Sequence, residues 1–84
     1  MIATPAYRAG QAHGAAATYA RDALVAAQRA TTLRTEAEGE PAGVAALTRR
    51  VADLYEQHAA HLGRMAREFA ALGRAPVGER SAPR

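Results

Sequence analysis

Glu38 Gly39 Glu40 Pro41 Ala42 Gly43 interrupts two otherwise unbroken helical runs. Gly39 suits the left-handed position just past a helix, and Pro41 suits the start of the next one, where a missing N–H costs nothing. The six residues therefore predict a tight helix–helix turn. Upstream, Thr4 followed by Pro5 is a helix start, a capping hydroxyl and then a proline at the first helical position. No proline intervenes between Pro5 and Pro41, so the first helix is expected over about 5–38. Gly73, Pro76 and Gly78 are the next breakers, which sets the second helix at about 41–72. Gly10 and Gly14 weaken the first turns, each by about 1 kcal/mol relative to Ala. No segment alternates with the period of a strand. The fold class read from this pattern is all-α, an antiparallel two-helix hairpin.

The apolar residues of the second helix fall at Val44, Leu47, Val51 and Leu54, then at His58, Leu62, Met65, Phe69 and Leu72. Steps of three and four residues put them on one stripe, and an extra four-residue step brings the average back to that of a bundle helix. The first helix carries a stripe of small residues, Ala9, Ala12, Ala16, Ala20, Ala23, Ala27 and Ala30. Folding back near residue 40 sets Phe69 against Ala12, Met65 against Ala16 and Leu54 against Ala27. Large side chains meeting small ones favour a short interaxial distance, near 8 Å in the usual range of about 8–10 Å.

The chain has 84 residues, enough for one small domain. Hydrophobic residues make up 49%, but 24 of those 41 are Ala, which leaves 17 larger ones to build a core. At roughly 25 cal/mol per Å² buried, set against about 1.5 kcal/mol of ordering entropy per residue, such a chain has little net stability alone. Self-association or a larger protein partner is expected. Tyr19, Leu24, Val25, Leu33 and Tyr55 lie beside or opposite the two stripes, so they are the expected anchors of an outer interface. Two hairpins packed as a four-helix bundle would cover them. On this reading Leu24→Arg dissociates the assembly and Arg67→Ala does not.

Chemistry is sparse. With no Cys there is no disulfide, thiolate zinc site or sulfur nucleophile. His58 and His61 are one turn apart, and folding back brings His13 near Glu68, which opens a histidine-based metal site as an alternative reading. Neither His-Glu-x-x-His nor a Glu-x-x-His pair occurs, and Glu56 and His58, two residues apart, point to opposite sides of a helix. His58 is accordingly expected in the core, bonded to a neighbouring polar group. No catalytic residue, metal or cofactor is assigned, and the chain is read as not an enzyme.

The 11 Arg against 8 acids give a net charge of +3 and a pI near 10.2. Arg74, Arg80 and Arg84 with Glu79 carry +2 of that in residues 73–84, which are expected to form a disordered Arg, Pro and Gly tail. A nucleic-acid accessory role for the tail is the second alternative. It is disfavoured because the only adjacent basic pair elsewhere is Arg49 Arg50, and Arg49 with Asp53 and Arg64 with Glu68 are spaced to pair within the helix. No signal peptide or membrane span is apparent, so a cytoplasmic location without membrane association is expected.

Two long helices about a central turn in under 100 residues resemble the small helical-hairpin proteins of the WXG type in outline. The turn, Gly39 Glu40 Pro41, holds no Trp, and Tyr55 and Tyr19 are followed four positions later by Ala59 and Ala23 rather than an acid. The resemblance is one of architecture and transfers no function. The functional expectation is a noncatalytic protein–protein interaction or oligomerisation module.

Overall fold

The computed structural model describes residues 5–74, with side chains from Arg8 onward. It contains two helices, α1 (Pro5–Glu38) and α2 (Ala42–Arg74), packed along each other as a hairpin. Thr4 and the expected tail from residue 75 lie outside the described residues.

The turn forms by a different route from the one its glycine suggests. No glycine among the described residues has positive φ. Instead the amides of Gly39 and Glu40 donate to the carbonyls of Glu36 and Ala37, at 3.1 and 3.2 Å, tightening the end of α1 into a turn of 3₁₀ type. Pro41 then caps α2, its carbonyl accepting the Ala45 amide at 2.8 Å. The Thr48 hydroxyl donates to Glu40 Oε1 at 2.6 Å and ties the turn to the second turn of α2.

α2 also runs past its expected end, through Gly73 to Arg74. Gly73 sits under the His13 ring: a Cβ there would meet His13 Nε2 at 2.9 Å and two ring carbons at 3.0 Å. The glycine that reads as a breaker is a site of close approach between the helices. His13 thus rests on α2 backbone.

Gly10 and Gly14 contrast with it, since a Cβ at either would meet nothing within 4 Å. Each substitution Gly→Ala at these two positions is expected to stabilise the hairpin by up to about 1 kcal/mol, read as a rise in the thermal midpoint by circular dichroism. Gly73→Ala should gain less than Gly14→Ala, because the His13 ring must swing away. An equal gain at the two positions would contradict the close packing at Gly73.

The interior of the hairpin is built mainly from alanine. Its buried residues are Ala16, Ala26, Ala30, Leu33, Ala37, Ala45, Ala52 and Leu62, so only two exceed alanine in size. Ala30, Leu33 and Ala52 form the central cluster. Residues 30 and 52 meet close to the fold-back register expected from the sequence, but α2 is rotated about its own axis. Ala45 and Ala52 face α1 there, and at 100° per residue they lie about 130° around the helix from the middle of the Val44 to Leu54 stripe. Leu54, expected against Ala27, is 62% exposed. Further from the turn the stripe swings inward: Leu62 is buried, Met65 half-buried, and Phe69 stacks on Tyr19 with ring centroids 5.5 Å apart.

This rotation has a physical reason. Alanine loses no side-chain entropy on burial and lets two backbones approach closely. Leu33 supplies bulk from the α1 side, so a leucine facing it from α2 would hold the helices apart.

Candidate functional site: an apolar ridge on the second helix

Val44, Leu47, Val51 and Leu54 form a ridge along the turn-proximal half of α2, exposed by 49, 60, 42 and 62%. Their 3, 4, 3 spacing puts them on one side of the helix. Beyond the ridge, on the same side, Tyr55, His58 and Leu62 of α2 face Asp22, Val25, Ala26 and Arg29 of α1 across an open groove of about 410 Å³. Ridge and groove make one continuous, largely apolar surface. Single exposed apolar side chains are ordinary on any protein, but a contiguous row of them is not.

The five anchors expected from the sequence do not share one surface. Val25 and Tyr55 line the groove together. Leu24 is exposed but lies roughly 100–200° around α1 from every α1 residue of that groove, so it points to another side. Leu33 is not an outer anchor at all: it belongs to the buried cluster with Ala30 and Ala52. Tyr19 is half-buried and spent on Phe69 across the hairpin. The ridge residues Val44, Leu47, Val51 and Leu54 were placed inside by sequence reasoning and are outside. Their exposure could have been suspected from Ala45 and Ala52, which with Ala59 repeat every seven residues and mark a second, smaller face on α2.

The charged groups lie elsewhere. Arg34 reaches across the hairpin and donates from Nη2 to Glu56 Oε1 and Asp53 Oδ1, each at 2.6 Å. Hydrogen bonds first to Glu56 and then to Asp53 raise the guanidinium pKa above its ordinary value, so Arg34 stays charged. Asp53 is therefore held by Arg34 rather than by Arg49, and Arg64 with Glu68 is not among the ion pairs of the described residues. These pairs are solvent-exposed and add little to stability.

His58 is exposed on the groove wall, not a core histidine, because the rotation of α2 carries it out with the ridge. His13 packs on Gly73. Among the described residues no three His, Asp or Glu side chains are grouped to hold a metal ion, and neither helix is long and apolar enough to cross a membrane. Comparison with protein-family models, curated proteins and solved structures finds no match to this chain.

Proposed function

We propose that this protein is a noncatalytic association module that works through the α2 ridge and the groove that continues it. The observation that supports this reading is the placement of bulk. The hairpin buries alanine against alanine and leaves Val44, Leu47, Val51 and Leu54 in water. A chain with so few large apolar residues gains most by covering them, at about 1 kcal/mol for each half-exposed side chain. Binding another polypeptide there supplies the interior that the hairpin lacks.

The sequence-based reading is kept in kind and moved in place, from Leu24, Leu33 and Tyr19 to the ridge, with Val25 and Tyr55 at its edge. A four-helix bundle of two hairpins is one way to cover the ridge, and a larger protein offering an apolar helix is another. Light scattering of the intact chain beside a ridge variant tests the reading. Association that the ridge variant abolishes, with helix content unchanged, is the expected result. A chain whose mass and melting are indifferent to ridge substitutions would contradict it.

A further inference from the structure

We infer that an arginine face of α2 binds the phosphate backbone of a duplex nucleic acid. This surface is separate from the ridge, and its role goes beyond the association function.

The net charge of the chain is concentrated there. Arg49, Arg50, Arg64, Arg67 and Arg74 fall within an arc of about 120° on α2, at 100° per residue, and extend over about 37 Å of its axis. All five are exposed. Asp53, Glu56 and Glu68 share the arc, and Arg34 reaches over from α1 to bond the first two. Six arginines against three acids leave +3, which is the whole formal net charge of the chain. The remaining five arginines are matched by five acids.

The local pairing that would neutralise these arginines does not form. Arg34 holds Asp53, which leaves Arg49 without it, and none of the five is in an ion pair among the described residues. The spacing of Arg49 with Asp53 and of Arg64 with Glu68, which speaks against nucleic acid in the sequence, therefore loses its force in the fold. Five guanidiniums stand in water with no internal anion.

The rest of the face selects among external anions. Ala42, Ala46, Gln57, Ala60 and Ala71 are the only other side chains in the arc. It offers no aromatic ring on which a single-stranded base could stack. It also lacks the bulky apolar side chains that enter a membrane interface or anchor a protein partner. What it offers is a row of long cations over short alanines, which suits a polyanion with charge repeated along its length. A duplex supplies one phosphate per about 1.7 Å of axis. Phosphate contacts carry no sequence information, so binding is nonspecific. The middle of the face lies about 140° around α2 from the middle of the Val44 to Leu54 ridge, so a partner on the ridge leaves it open.

Fluorescence anisotropy of the full chain with a labelled DNA duplex, and with an RNA duplex of the same sequence, tests the inference. Binding to at least one is expected, and the tighter of the two identifies the ligand. Affinity should fall a few hundredfold from about 50 to 200 mM salt, a slope of roughly −4 for five neutralised phosphates. Combining Arg64→Gln, Arg67→Gln and Arg74→Gln should cut the slope to roughly −2. Combining Arg8→Gln, Arg21→Gln and Arg29→Gln removes the same charge from outside the face and should leave the slope in place. All six positions are exposed, so circular dichroism is expected to be unchanged in both variants. A slope that falls equally in the second variant, or in Arg80→Gln with Arg84→Gln, would overturn the inference in favour of total charge or the C-terminal residues. No binding to either duplex at about 50 mM salt would also overturn it. Retention on phosphatidylserine vesicles or polyglutamate in its place would move the face to a membrane or an acidic protein.

Discussion

Ala52→Leu is expected to collapse the thermal stability of the hairpin, although the change adds hydrophobic bulk to a protein short of it. Ala52 is fully buried in one cluster with Ala30 and Leu33. Adding a leucine there drives the two helices apart along the alanine seam, with a cost of about 1–3 kcal/mol or more. A domain this small has little stability to lose, and each 1 kcal/mol moves the midpoint by roughly 4–8 °C. A drop on the order of 10 °C in a circular dichroism melt is the expected result. Ala46→Leu, on the exposed side of the same helix, is the control and should leave the midpoint nearly unchanged. If Ala52→Leu melted at or above the temperature of the unmodified chain, the alanine seam would not be the interior.

Leu54→Arg is expected to abolish association while leaving the fold intact. Leu54 is 62% exposed in the isolated hairpin, so replacing it disturbs little of the interior. In an assembly the leucine loses about 1 kcal/mol of burial per copy, and a guanidinium must be desolvated in its place. Where two hairpins cover each other's ridges the change counts twice, and a total of roughly 3–4 kcal/mol raises the dissociation constant by two to three orders of magnitude. Sedimentation is expected to show any association of the unmodified chain lost in the variant. Arg67→Ala, exposed and away from the ridge, should not change the mass. Leu24→Arg, expected from the sequence to dissociate the assembly, should behave like Arg67→Ala, because Leu24 points away from ridge and groove. Loss of association by Leu24→Arg with retention by Leu54→Arg would move the interface to the other side of the hairpin.

The architecture was legible because its signals are local. Pro5 and Pro41 mark helix starts through a missing donor and a fixed backbone angle, and those effects do not depend on what packs nearby; Gly39 falls where α1 ends, but without the left-handed conformation it suggests. Gly73 misled for the complementary reason: its role is a contact with His13, sixty residues away in sequence, and a glycine inside a helix looks the same on paper as one that ends it.

The rotation of α2 was the larger omission. Bulky residues are ordinarily inside, so the Val44 to Leu54 stripe was assigned to the seam and Leu33 to the outer surface. The hairpin does the opposite near the turn. Ala45 and Ala52 form a second face too weak to register beside four large apolar neighbours, yet both are buried, Ala52 in one cluster with Ala30 and Leu33. Hydrophobic periodicity reports that a face will be covered, not by which chain. Further along, Leu62 is buried as the stripe predicts, but Phe69 stacks on Tyr19 rather than on Ala12, and Leu72 is 62% exposed. Of the five side chains expected on an outer face, Leu33 is buried and Tyr19 stacks on Phe69 inside the hairpin, while Val25 and Tyr55 line the groove beside the ridge.

Thermal unfolding followed across a hundredfold range of chain concentration, with the mass of each sample taken by sedimentation equilibrium, tests most directly whether the hairpin depends on a covered ridge. The midpoint should climb steadily with concentration as the mass moves from one chain to two. A single-chain mass throughout, with a sharp transition at a midpoint that concentration does not move, would contradict it.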